Sequence, residues 1–191
     1  MSLPLMAQAQ AQNKRLESDF YVEGYATTFD KPYLIYEFED GFKIYEQIDR
    51  NALVGADVSD VIMLYDHAGK VLARQSHKTL GIEADNHGLF IFGDLSKSRA
   101  AKDLYEEICA GLITKMSWAF TVAEESYNKE THTRTILKIK KVYDVSAVSN
   151  PANADTDISA RSFLDGVIED KKREALARRA LLLKLNIDLE A

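Results

Sequence analysis

Three polar residues interrupt otherwise apolar, strand-like stretches of the chain: His67, Ser117 and Asp144. A neutral imidazole can take a proton from a hydroxyl and return it to a leaving group, and a serine hydroxyl becomes an effective nucleophile only beside such a base. A carboxylate can orient the imidazole by accepting its second ring N–H. Periodicity alone assigns these residues no function, but it narrows the candidates for catalysis to these three positions.

Each of the three residues also has an ordinary structural explanation. His67 fits a loop histidine bonded within its own turn, and Ser117 fits a strand serine bonded to a backbone carbonyl. Asp144 fits a strand-end aspartate that faces water. Lys115 lies two residues before Ser117 and therefore on the same face of a strand, so a Ser–Lys dyad stays open as well.

The remaining reactive residue types give weaker signals. His77, His87 and His132 lie in polar, turn-like segments typical of the surface. Cys109 falls inside a predicted helix, where a free cysteine is usually buried and unreactive. The sequence contains no glycine-rich phosphate loop, paired-histidine metal motif or EF-hand spacing, so it predicts neither a metal nor a cofactor.

Short strands and one clear helix are expected to position these side chains. Ser98 can cap a helix over 98–110, and Gly111 can end it. Aromatic and β-branched residues predict strands over 20–25, 33–38, 42–48, 61–65, 71–75, 79–83, 89–95, 113–122 and 134–148. The predicted fold is α+β and strand-dominated: a closed or nearly closed β-barrel with a few flanking helices.

Composition divides the chain into three parts. Residues 1–18 repeat Ala-Gln three times and have little to bury, which predicts a mobile arm, with a short helix as the alternative. Residues 19–161 form the predicted barrel domain. Residues 162–191 predict a helical C-terminal tail, because apolar residues recur there at helical spacing: Leu176, Ala180, Leu183 and Ile187.

Charge and composition exclude several function classes. The 191 residues carry 24 Lys and Arg against 30 Asp and Glu, a net charge of -6, which argues against nucleic acid as a partner. The single cysteine excludes a disulfide framework. No apolar run approaches the ~20 residues needed to span a bilayer, and no signal peptide is evident, so a reducing cytoplasm is expected.

Several features follow one another in a particular order between about residues 20 and 161. His67 ends a strand, a helix ends at Gly111, and Met-Ser-Trp-Ala-Phe follows at 116–120; Arg-Thr-Ile at 134–136 and Asp-Val-Ser-Ala-Val at 144–148 come next, before Pro151. This ordered set resembles the prohead (capsid maturation) serine proteases of tailed bacteriophages, which are distantly similar to the herpesvirus assembly protease.

The resemblance implies a serine endopeptidase with Ser117 as nucleophile, His67 as general base and Asp144 as third member. The herpesvirus relatives use a second histidine in that third place, but His77 and His87 do not lie in the corresponding element. Ala119 stands where many family members have glycine. Backbone N–H groups near 134–135 are the expected oxyanion donors.

The resemblance also implies the partners. The expected substrates are the scaffold and the N-terminal segment of the major capsid protein, inside an immature capsid (prohead) in the host cytoplasm, with self-cleavage. The portal protein and a second copy of the chain are further candidate partners, and the tail fits a removable targeting segment. The competing interpretations are a non-enzymatic capsid-assembly protein and a partner-binding β-barrel module.

Overall fold

Two β-sheets and one α-helix make up the described part of the chain. The computed structural model describes the backbone of residues 5–7 and the whole of residues 15–149. Most of the predicted N-terminal arm and all of the predicted helical tail lie outside the described residues. The strand-dominated α+β prediction is confirmed.

Most of the elements follow one another with short connections, but 13 residues separate β4 from β5. In chain order they are β1 (Leu5–Ala7), β2 (Tyr21–Thr28), β3 (Tyr33–Glu37), β4 (Lys43–Ile48), β5 (Ile62–Tyr65), β6 (Ala68–Arg74), a 3₁₀ turn (Gln75–His77), β7 (Leu80–Ala84), β8 (Gly88–Asp94), α1 (Arg99–Cys109), β9 (Lys115–Asn128) and β10 (Thr133–Val148).

The strands form a four-stranded and a six-stranded sheet. The first has the order β1-β2-β8-β7 and is antiparallel throughout. The second has the order β3-β4-β10-β5-β6, with β9 paired to β10. Strand β10 is antiparallel to β9 but parallel to both β4 and β5. It therefore joins β9, the β3–β4 pair and the β5–β6 pair into one sheet.

The predicted closed or nearly closed barrel is wrong, because the two sheets do not join into one ladder. Directly after β2, Phe29 forms an isolated bridge to Ile48 of β4. Asp30 then adopts a positive φ of 53°, and Pro32, which has no N–H to donate, follows. The chain therefore turns away before a second ladder can extend from β2 to β4.

Helix α1 forms as its sequence predicts. The Ser98 hydroxyl accepts a hydrogen bond from the Ala101 backbone N–H at 3.1 Å, and Gly111 takes a positive φ of 74° after the last turn. The buried positions of the helix pack on the core: Ala101, Leu104 and Ile108. Cys109 is exposed, contrary to expectation, because it lies off this apolar face. Within the described residues, no helix has the length and apolarity to cross a bilayer.

The long strand β10 contains several irregularities that control which side chains face the core. Four of its buried apolar residues lie three apart rather than two: Ile136, Ile139, Val142 and Val145. Strict alternation would send every second one of them to the opposite face of the sheet. Register shifts between β10 and β9 absorb the difference, and the last of them falls between Val142 and Asp144.

A buried ion cluster links side chains of four strands at the N-terminal end of β10. The Arg134 side chain has no exposed surface, and its Nη1 donates to Glu46 Oε2 of β4 at 2.7 Å. Its Nε and Nη2 both donate to Glu125 Oε2 of β9. The Tyr33 hydroxyl of β3 donates to the other oxygen of Glu46.

We predict that Arg134→Met destabilises the fold by about 3–5 kcal/mol, because it leaves two carboxylates without their cation. Urea unfolding of the full chain measures this change. Lys138→Met is the matched control on the same strand, since Lys138 forms an exposed pair with Glu124 and its loss is expected to cost less than about 1 kcal/mol. Equal, small losses in both variants would contradict the assigned role of the cluster.

Candidate active site

His67 lies in the tight turn that connects β5 to β6. Tyr65 pairs with Ala68, so Asp66 and His67 alone form the loop. Both have positive φ, 46° and 56°, as the two central residues of a type I′ hairpin require. This conformation is uncommon for a histidine, so the surrounding contacts must hold it.

Asp66 anchors this turn to the end of β10. Its backbone N–H donates to the Ala147 carbonyl at 3.0 Å. Its carboxylate accepts from the Ser149 backbone N–H and from the Ser149 hydroxyl, each at 3.0 Å. Because the turn has only two residues, fixing Asp66 also fixes the direction in which the His67 side chain leaves the backbone.

The structure brings His67 and Asp144 into direct contact. His67 Nδ1 lies 2.7 Å from Asp144 Oδ1, with the two side chains 20% and 10% exposed. An ionised carboxylate can only accept, so Nδ1 carries the proton of the neutral ring and Nε2 is left as the acceptor. Nε2 is buried and makes no hydrogen bond within the described part of the chain.

Ser117 lies on the same face of the sheet as Asp144. In the β9–β10 ladder, Ser117 pairs with Ser146 and Ala119 pairs with Asp144. Side chains of directly opposed residues stand on one face, with Cβ atoms about 4.5–5.5 Å apart. Trp118, between them on β9, is buried in the core on the other face.

The register shift before Asp144 is what places the carboxylate on this face. Val142 and Val145 both face the core, and Tyr143, 44% exposed, lies at the irregularity. If β10 alternated strictly after Val142, Asp144 would point into the hydrophobic core. A bulge of this kind redirects side chains, and such bulges are frequent next to active sites.

The sequence reasoning missed one polar residue of this face, Ser146. Its side chain is fully buried, and its hydroxyl donates to Asp144 Oδ1 at 2.7 Å. A serine within a strand is compatible with a purely structural role, so its type alone gives no signal. Its position two residues after Asp144, and therefore on the same strand face, is the pattern that could have identified it.

The expectation that backbone N–H groups near Arg134 and Thr135 serve as oxyanion donors for Ser117 is wrong. Both residues lie at the opposite end of β10 from Ser146, where they pair with β4 on one side and with Tyr127 and Ser126 of β9 on the other. Ladder pairing on both sides engages the backbone groups of such a central strand. The backbone there cannot serve a reaction at Ser117.

The other histidines lie in turns away from this face. His77 ends the 3₁₀ turn, the His87 ring packs edge-on against Tyr25, and the His132 ring packs against Phe42. Lys115 lies on the Ser117 face of β9, opposite Val148. Among the described residues, no group of three His, Cys, Asp or Glu side chains could hold a metal ion.

We predict that Asp66→Ala destabilises the protein more than Asp66→Gly by about 1–2 kcal/mol, because only the alanine is strained at a positive φ. Both variants lose the hydrogen bonds from Ser149, so both are expected to unfold at lower urea concentration than the wild type. Equal stability of the two variants would contradict the prediction, because it would show that the positive φ at position 66 does not strain a residue that has a Cβ atom.

Comparison with known proteins identifies a family that matches this chain. A family model described as "Caudovirus prohead serine protease" matches residues 8–167. The prohead protease of Enterobacteria phage HK97 is 28% identical over 146 residues, which cover 76% of this chain and 61% of that protein. The chain thus spans about three fifths of the length of this relative. No solved structure matches the chain. The match over most of its length shows that the chain belongs to the caudovirus prohead serine protease family.

Proposed function

We propose that the chain is a serine endopeptidase of phage prohead maturation in which Ser117 is the nucleophile, His67 the general base and Asp144 the residue that orients the base. The observation that carries this proposal is the 2.7 Å hydrogen bond between His67 Nδ1 and Asp144 Oδ1. Family membership supports the reaction class, and the position of Ser117 on the Asp144 face supports the choice of nucleophile.

The contacts of the imidazole suit a general base. Asp144 holds the proton on Nδ1, which leaves the Nε2 lone pair free to accept a proton. Nε2 is buried and has no hydrogen-bond partner within the described residues, so no side chain described there competes for its lone pair. A base in this position typically contributes ~10²–10⁴-fold to the rate.

The proposed reaction proceeds by acyl transfer. His67 Nε2 takes the hydroxyl proton as Ser117 Oγ forms a bond to the peptide carbonyl carbon. The protonated ring then gives this proton to the departing amine as the C–N bond breaks, which leaves an acyl-enzyme. Water repeats the sequence with His67 again as base, and the acid product leaves with Ser117 restored.

The proposed substrates are capsid proteins of the prohead. The relative from phage HK97 is named a prohead protease, and the family description points to the same assembly. On this basis we assign the scaffold and the N-terminal segment of the major capsid protein as substrates, inside the prohead in the host cell. Self-cleavage, a removable targeting role for 162–191, contact with the portal protein and a homo-oligomer belong to the same proposal.

Intact-mass analysis after co-expression with the neighbouring capsid and scaffold proteins tests the proposed function. We expect defined fragments with the wild-type chain and none with Ser117→Ala, because the nucleophile is lost. Ser126→Ala is the matched control, since Ser126 lies on the same strand and is exposed. A shortened form of the protease chain in the wild-type spectrum would be the product of self-cleavage.

Identical masses with the wild type and Ser117→Ala, together with normal shells, would contradict the proposed activity. That result would favour the non-enzymatic assembly protein, in which the same residues have structural roles.

Labelling with a phosphonofluoridate separates the two possible bases without any protein substrate. Ser117 Oγ would bond to phosphorus and fluoride would leave, while the base takes the hydroxyl proton. We predict that His67→Ala slows the appearance of the mass adduct by about 10²–10⁴-fold. Lys115→Ala is expected to stay close to the wild-type rate. The reverse result, with Lys115 required and His67 dispensable, would establish a Ser–Lys dyad instead.

A further inference from the structure

The Ser146 hydroxyl has a partner that a core-filling serine does not need. Its side chain is fully buried, and the acceptor of its proton is Asp144 Oδ1 rather than a backbone carbonyl. His67 Nδ1 lies at the same 2.7 Å distance from the same oxygen. Two donors therefore converge on one carboxylate oxygen.

This convergence restricts the orientation of Asp144. The terminal torsion of an aspartate is broad, so a carboxylate held by a single donor can rotate about it. Hydrogen bonds to an ionised acceptor are roughly twice as strong as neutral ones, and a second donor from the same strand fixes the direction of Oδ1. The Asp144 side chain is only 10% exposed, so bulk water is a poor substitute for the lost donor.

The place of Ser146 in the ladder adds a limit on size. It pairs directly with Ser117, so a side chain at 146 is also a neighbour of the proposed nucleophile. A small residue with a hydroxyl satisfies both requirements. A larger one would occupy the space between the two strands beside Ser117, and alanine would leave Asp144 with one donor fewer.

We propose that Ser146 is a positioning residue of the site, which holds the Asp144 carboxylate in the orientation that binds His67 Nδ1–H. The inference rests on the roles assigned to Asp144 and His67 under the proposed function. Ser146 does not touch the reacting atoms in this scheme. It acts through Asp144, and its effect reaches Ser117 only by way of the orientation of the imidazole.

Two measurements on the full chain with Ser146→Ala test this role. The first is the rate of phosphonofluoridate labelling, which is expected to fall about 10- to 100-fold, as for the loss of one hydrogen bond to a charged group. The second is the proton resonance of His67 Nδ1–H, assigned by its loss in His67→Gln. The signal is expected in the wild type and is expected to broaden or vanish in Ser146→Ala.

Two further variants keep the test decisive. Ser146→Cys keeps the branching of the side chain, with one larger atom, but offers only a weak donor, so it is expected to show the same losses even where alanine impairs folding. Thr133→Val is the matched control, because it removes another buried hydroxyl from β10 that donates to the Thr131 carbonyl, remote from Asp144. It is expected to keep both the wild-type rate and the resonance.

A wild-type labelling rate together with an unchanged Nδ1–H resonance in both Ser146 variants would overturn the proposal. If the wild-type chain is not labelled at all, the proposed function fails, and the resonance alone then decides the role of Ser146. Its loss in the Ser146 variants but not in Thr133→Val would still establish that Ser146 positions the Asp144–His67 pair.

Discussion

The six-stranded sheet depends on the hydrogen-bonding of one strand, β10. Its 16 residues are antiparallel to β9 along nearly their whole length and parallel to β4 at one end and β5 at the other. The candidate site lies at the β5 end, and the buried Arg134 cluster lies at the β4 end. A displacement of β10 by one residue would exchange the two faces of the strand and disrupt both. The register of this strand is therefore the constraint that the other features share.

The irregularities of β10 reconcile two demands on one strand. The core needs apolar side chains at each level, whereas the candidate site needs Asp144 and Ser146 on the opposite face. With strict alternation, Val142 and Asp144 would share a face. The register shift between them lets the core end and the polar face begin within three residues. The tight turn at His67 then brings the imidazole to that face from the neighbouring strand.

Local patterns predicted the individual elements but not their assembly. The strands after residue 20 and α1 could be predicted because β-branched runs, turn residues and the cap at Ser98 act over a few residues, whereas β1 lies in the segment predicted as an arm. The separation into two open sheets depends on parallel pairing of β10 with β4 and β5, between segments far apart in the chain. His67 and Asp144 were identifiable as polar interruptions and through family resemblance. Ser146 was not, because only its hydrogen bond to Asp144 distinguishes it from an ordinary strand serine.

The position of β10 in the chain has a consequence for biosynthesis. His67 and Asp144 are 77 residues apart, and β10 is the last strand of the described residues. During translation, a nascent chain that has exposed β5 and β9 already carries His67 and Ser117, but it has no carboxylate to hold the imidazole. Domains are made from the N-terminus onward, so the ribosome must release β10 before this pair can form. Truncated translation products that stop before β10 thus lack the His67–Asp144 contact. The formation of this contact therefore marks the point at which this part of the chain has been fully synthesised.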